Sequence, residues 1–269
     1  MSIELPTEKT PRSKVDPTSM VIYSHPKVGK TTAVSQLEDC LTIDLQRGSV
    51  FVDILKFDVL QATDDLNAER AKEDKPPVPP IYMLSKLINS LEEYKRVNGK
   101  SRYKYLAIDT LSDLEDMSLV LAAKMYKETP MGKNWVGNDV TTLPRGAGYV
   151  YLREAVKQII KKLENCCDTL IMLGHVRDKL VEVQGEEIEE RGLKMTGILS
   201  SIVCSEVDAV GYMYRHEDET VINFKASKNT TAESRAKHLS NKIIPVITTD
   251  KNGDVVVDWS KIFIEDAKK

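Results

Sequence analysis

Tyr23-Ser24-His25-Pro26-Lys27-Val28-Gly29-Lys30-Thr31-Thr32 is the stretch on which the reading of this chain turns. An apolar run, Met20-Val21-Ile22-Tyr23, precedes it, and a segment able to form a helix, 31–37, follows. Strand, tight loop and helix are the context in which the pattern G-x-x-x-x-G-K-[ST] binds phosphate. Backbone N–H groups of the loop and the helix start point at one spot, and that spot attracts an anion. In this pattern Gly29 lets the backbone come close to a phosphate, Lys30 reaches the β- and γ-phosphates, and the Thr31 hydroxyl holds Mg²⁺. The residues expected around the nucleotide are therefore Ser24, His25, Pro26, Lys27, Val28, Gly29, Lys30, Thr31 and Thr32. Ser24 stands where the pattern has its first glycine, and serine meets a greater cost at positive φ.

A second motif lies downstream. Tyr105-Leu106-Ala107-Ile108-Asp109 is an apolar strand ending in an acid. A carboxylate at the end of a buried strand beside a phosphate-binding loop can hold Mg²⁺ or its water, which is the Walker B pattern. Asp109 is thus a second candidate metal ligand beside Thr31. Together the two motifs point to ATP with Mg²⁺.

The remaining elements follow from periodicity. Residues 41–45 read as a second short strand, and 61–80, charged and ending Pro-Pro-Val-Pro-Pro, as a solvated excursion. Leu84, Leu87, Ile88 and Leu91 recur at helical spacing up to Gly99. Ser112-x-x-Glu115 has the form of a capping box opening a helix to about Tyr126. Residues 127–148 read as a loop. Leu152, Val156, Ile159, Ile160 and Leu163 mark a long amphipathic helix, and 169–174 a fourth buried strand. Beyond it, 179–194 is polar and acidic, either a loop or a solvated hairpin. Residues 207–214, 221–226, 243–249 and 254–259 read as strands; 227–242 between them, with Lys228, Arg235, Lys237, His238 and Lys242, reads as a basic patch for the phosphates of DNA or of an adjoining subunit, or as a solvated surface helix. Strand and helix alternate first and strands dominate later. The fold class is α/β, a mostly parallel central sheet flanked by helices, with antiparallel strands on the C-terminal side.

Composition sets the limits. The chain has 269 residues, 41% hydrophobic and 29% charged, with a net charge of −3. That suffices for one large domain, expected over 19–269, with 1–18 as a flexible arm. There is no global basic excess, so any nucleic-acid contact must come from local patches. No apolar run is long enough to span a membrane, and the polar N-terminal stretch lacks a signal-peptide core. Cys40, Cys166, Cys167 and Cys204 contain no C-x-x-C spacing and read as reduced thiols, so a cytoplasmic location is expected.

The order of elements resembles the RecA-like ATPase core over about 20–229. Leu170-Ile171-Met172-Leu173-Gly174-His175-Val176-Arg177 is similar to that family's strand ending in a polar γ-phosphate sensor, which places His175 in that role. Phe224-Lys225-Ala226-Ser227-Lys228-Asn229 is similar to its K-x-x-K-N stretch, whose lysines reach the ATP of the neighbouring subunit. Lys225 and Lys228 are candidates for that role, and self-association into a ring or filament is implied. The shortness of the chain resembles the phage single-strand annealing members of the family. This implies a phage-encoded protein in the host cytoplasm that promotes annealing or strand exchange on single-stranded DNA, with a single-strand-binding protein as a possible partner.

Where the family carries a water-positioning Glu, this chain has Gln46. A neutral amide orients water but accepts a proton poorly, so either hydrolysis is slow, as a DNA-stimulated ATPase, or another acid serves, with Asp44 and Asp113 the nearest candidates and Glu115 the weaker. The resemblance places DNA contacts in 127–148, with Lys133, Trp135 and Arg145, and after the sensor strand, with Arg177. Trp135 reads equally as a base-stacking platform or as packing against the body. The glutamates of 179–194 repel phosphate, which leaves open an ATP-dependent switch or assembly protein with no DNA role.

Overall fold

The computed structural model describes residues 13–183 and 186–264. Ser19–Ser24 (β1), Cys40–Asp44 (β2) and Tyr105–Asp109 (β4) are buried along their whole lengths, as unbroken apolar runs require in a parallel sheet covered on both faces. Thr169–Val183 (β5) starts in the same core and runs out of it. With Lys56–Asp58 (β3) and Ala209–His216 (β7) they form a parallel array in the order β7-β1-β5-β4-β2-β3. Glu219–Asn223 (β8), Ile243–Thr249 (β10) and Val255–Val257 (β11) extend it antiparallel beyond β7. This is the α/β architecture expected from the sequence, a mostly parallel sheet with antiparallel strands on the C-terminal side.

Strand alternation divides the core. Val21, Tyr23, Leu106, Ile108, Leu170 and Met172 face one side. There Pro80–Asn98 (α3), Leu111–Lys127 (α4) and Gly148–Cys166 (α5) cover them with Leu84, Ile88, Leu114, Leu152, Val156 and Leu163. Met20, Ile22, Ala107, Ile171 and Leu173 face the other side. That side is covered by the short Lys30–Ser35 helix (α1) and by Trp259, Ile262 and Phe263 from the C-terminal segment. Trp259 Nε1 donates to the Ala33 carbonyl at 2.8 Å, which seats the segment on α1.

Several expectations are corrected. Residues 61–80 are not an excursion throughout: Val59–Lys72 is a helix (α2), capped by Asp58, whose side chain accepts from Gln61 N. Its good helix formers and cap outweigh a weak apolar stripe. The N-cap of α4 is Thr110, not Ser112. Ser112 Oγ donates to the Lys194 carbonyl at 3.2 Å, and Glu115 accepts from Thr196 N at 3.1 Å, so the apparent capping box instead ties down 194–196. Residues 227–242 hold no α-helix but turns and Glu233–Ser234 (β9), paired with β7. Ser227 and Ser234 hydroxyls accept from Asn229 N and Ala236 N, local bonds that compete with helix formation. The acidic 179–194 stretch is a hairpin: β5 continues to Val183 and pairs antiparallel with Glu186–Leu193 (β6). Leu199–Glu206 (α6), unforeseen, follows it.

Residues 1–12 of the expected arm lie outside the described residues. Its last residues are bound to the body: Thr18 N and Oγ1 donate to Asp208 Oδ2 at 2.9 and 2.8 Å, and the Pro17 carbonyl accepts from Thr169 Oγ1 at 3.2 Å. All four cysteines are free thiols, and no described helix is long and apolar enough to cross a membrane.

Candidate nucleotide site

The site forms where β1, β4 and β2 end beside the middle of β5, at Leu173 and His175. β1 hands over to the loop at Ser24, and the loop turns into α1 through Gly29, whose φ of 113° and ψ of 19° are open to glycine and strained for other residues. A Cβ at Gly29 would also come within 2.9 Å of Ile247 Cδ1 on β10. The positive φ earlier in the loop falls on Lys27, not Ser24. Ser24 remains a strand residue and carries no such cost; its hydroxyl accepts from Lys30 Nζ at 2.9 Å and donates to the His25 carbonyl at 2.7 Å.

Lys30 is buried, and among the described residues its ammonium has neutral hydrogen-bond partners, Ser24 Oγ and the His25 carbonyl at 3.4 Å. Burial lowers its pKa, against the pull of Asp109. Thr31 Oγ1 donates to Asp109 Oδ2 at 2.7 Å, and Gln46 Nε2 lies 3.5 Å from Asp109 Oδ1. Burial raises the Asp109 pKa, Thr31 and Lys30 opposing. His175, half-buried at the register position opposite Ser24, has its pKa lowered by burial and then by Lys30, and its Nδ1 is buried with no hydrogen-bond partner among the described residues. Lys30, Thr31, Gln46, Asp109 and His175 thus converge.

The substitute acids are all engaged. Asp44 Oδ1 accepts from Arg47 N at 2.8 Å and Gln46 N at 3.1 Å; its Oδ2 accepts from Ser49 Oγ at 2.5 Å and Lys56 Nζ at 3.3 Å. Burial works upward on its pKa and is outweighed by the bonds from Ser49, Gln46 and Lys56, so the pKa falls below the usual carboxylate range. Asp113 accepts from Thr110 Oγ1, and Glu115 is held by Thr196 N.

A profile described as an AAA domain matches residues 16–236. The chain belongs to the AAA-domain family. As an AAA domain it is an ATP-binding P-loop ATPase. None of the curated proteins matches it. Among solved structures, a KaiC-like protein from the hyperthermophilic archaeon Pyrococcus horikoshii is 14% identical, covering 90% of this chain and 89% of that one at a TM-score of 0.40. The RadB recombinase is 10% identical, covering 90% and 91% at a TM-score of 0.40. These likenesses carry neither activity nor partner to this chain.

The AAA domain's residues fit Mg²⁺ and ATP. A buried ammonium whose partners are neutral matches a phosphate, and a hydroxyl 2.7 Å from a carboxylate matches a hard cation that keeps most of its water. No group of three or more ionisable ligands occurs among the described residues, so Mg²⁺ would be shared with phosphate rather than caged by protein. His25, Pro26 and Lys27 are exposed on the loop, while Val28 and Thr32 are half-buried.

Two residues that sequence reading missed touch the phosphate loop of the AAA domain. Asp178 Oδ2 on β5 lies 3.7 Å from His25 Nε2, and Arg215 Nη2 on β7 donates to the Lys27 carbonyl at 3.4 Å. No local signal marks them, because their approach depends on pairing between strands distant in sequence.

Other candidates stand apart. Lys225 and Lys228 are exposed beyond β8, and no hydrogen bond or ion pair joins them to the Lys30–Asp109 cluster. Lys133 and Arg145 are exposed. Trp135 packs edge-on against Tyr126 at 5.2 Å, with Lys127 Nζ 5.5 Å from its ring, so packing accounts for its placement. Arg177, exposed, donates from Nη1 to the Met195 carbonyl at 3.5 Å.

Proposed function

We propose that this AAA-domain protein is a slow ATPase that binds single-stranded DNA under the control of its nucleotide site and promotes annealing or strand exchange in recombination. The observation that carries the reading is the course of β5. One strand passes through the core, presents His175 to the Lys30–Asp109 cluster, and continues to Val183 in the pairing with β6, with Arg177 and Lys179 exposed on it. A change of contacts at His175 therefore acts on the root of an element that can meet a DNA strand.

The chain's own residues support slow turnover. Lys30 Nζ can exchange Ser24 Oγ for a phosphate oxygen with little movement. Thr31 and Asp109 would hold Mg²⁺. Gln46 can orient a water beside Asp109 but cannot take its proton, while Asp44, Asp113 and Glu115 are occupied by their own hydrogen bonds. When bound, Mg²⁺-ATP supplies the phosphoanhydride whose cleavage resets the switch. Lys225 and Lys228, exposed at the end of β8, suit a role at a neighbouring subunit's phosphates in a ring or filament. A phage origin and a single-strand-binding partner belong to the same reading.

The test is fluorescence anisotropy of a labelled single-stranded oligonucleotide with no nucleotide, ADP, ATP or a non-hydrolysable analogue. Binding that tightens with ATP or the analogue is expected. Absence of oligonucleotide binding in every state, with ATP binding intact, would transfer the protein to a nucleotide-dependent switch or assembly role, which the acidic hairpin favours.

A further inference from the structure

The sequence from Lys95 to Lys104 carries Lys95, Arg96, Lys100, Arg102 and Lys104 and no acid, in a chain whose net charge is −3. The fold gathers four of these cations around one concavity of about 560 Å³ at the C-terminus of α3 and the entry to β4. We propose that this concavity is a second single-stranded nucleic-acid-binding surface, separate from the nucleotide site and from the loops beside it. It goes beyond the function proposed above, because it requires no gating by ATP.

Its position is opposite the nucleotide site. β4 begins at the concavity and ends at Asp109, so one five-residue strand separates the two, on the order of 15 Å at the usual rise per residue.

The cations sit on fixed backbone. Gly99, at φ 67°, closes α3 by donating its N–H to the Lys95 carbonyl at 2.8 Å. The Lys104 carbonyl accepts from Asp168 N and Thr169 N at 3.0 and 3.1 Å, and Tyr105 N donates to the Asp39 carbonyl at 3.1 Å. Two acids also line the concavity, and both serve this loop: Asp39 Oδ2 accepts from Lys104 N at 3.0 Å, and Asp168 Oδ1 from Ser101 Oγ at 3.3 Å. Lys95 Nζ donates to the Asn165 carbonyl at 2.6 Å. Among the described residues, Lys95, Lys100 and Arg102 take part in no ion pair.

Aromatic rings decide the class of partner. The Arg102 guanidinium lies 5.0 Å from the Tyr103 ring and 5.8 Å from the Tyr94 ring, and Tyr94 lines the concavity half-exposed. Cations tracking a backbone beside a ring and a planar guanidinium on which bases can stack are what a single strand requires. An acidic protein would use the charges but leave the stacking surfaces idle.

The experiment uses the full chain without nucleotide and a labelled oligothymidine, titrated at several salt concentrations. Lys100→Ala/Arg102→Ala is expected to bind about tenfold more weakly, with the slope of log K against log salt reduced by roughly 1.4, at about 0.7 per lost charge on a single strand. ATP binding should be unchanged. Lys100→Glu, at an exposed position, gives the same readout without touching the Arg102–tyrosine contacts. Unaltered affinity and slope in both variants would overturn the proposal, as would a wild-type chain that binds no oligonucleotide. Polyglutamate binding as tightly as the oligonucleotide and lost in the same variants would also overturn it, assigning the surface to an acidic partner. Affinity indifferent to ATP but lowered in the variants would sink the gated function and leave this surface standing.

Discussion

Lys30 is a buried ammonium with neutral hydrogen-bond partners, the state in which a charge is poorly compensated until an anion arrives. Lys30→Ala should therefore abolish ATP binding in a titration while leaving the melting temperature near that of the wild type, since Ser24 Oγ keeps its bond to the His25 carbonyl. Normal ATP binding by this variant would end the reading of the loop. Gln46 marks a different limit. It lies beside Asp109 with no unengaged acid among the candidates around it, so Gln46→Glu should raise steady-state turnover tenfold or more by supplying a proton acceptor. A flat rate would place the slow step elsewhere. Both residues were legible in the sequence, Lys30 from the motif's spacing and Gln46 through the family resemblance alone. Ser24 was legible only as a departure, since that its hydroxyl would receive the lysine depends on the loop's course.

Among the elements, helices with strong apolar stripes followed their periodicity, and α3 stops at Gly99 as expected, with Gly99 in the left-handed conformation. α2 escaped notice because its stripe is thin and its stability rests on the Asp58 cap and on packing against its neighbours. The region 127–148 shows why loops resist reading. It is held by a close approach that only glycine permits: a Cβ on Gly148, at the start of α5, would lie 1.6 Å from the Val140 carbonyl oxygen. Gly148→Ala must displace the Val140–Thr142 turn. It should cost at least about 2 kcal/mol, measured by chemical denaturation, because backbone rather than a side-chain end is in the way. A loss below about 0.5 kcal/mol would show that this turn moves freely.

For the whole molecule, ligand and fold are linked. ATP or a non-hydrolysable analogue with Mg²⁺ binds the folded chain at a site built from four strands, none of which can form it alone. At a hundredfold excess over Kd this should stabilise by about 2.7 kcal/mol, roughly 5–11 °C in melting temperature for a domain of this size. Omitting Mg²⁺ should shrink the shift if Thr31 and Asp109 hold the cation. A shift that ignores Mg²⁺ would remove them from that role. The sequence by itself determined the parallel α/β core, the phosphate loop and the acid at the end of β4, because local spacing and unbroken apolar strands encode them. Only the tertiary structure decided which strands stand side by side, and with that the meeting of Asp178 with His25, the seating of Trp259 on α1, and the clustering of basic residues at the far end of β4. Those contacts join residues far apart in the chain, and closing such loops is specified by the packing of the entire core rather than by any local pattern.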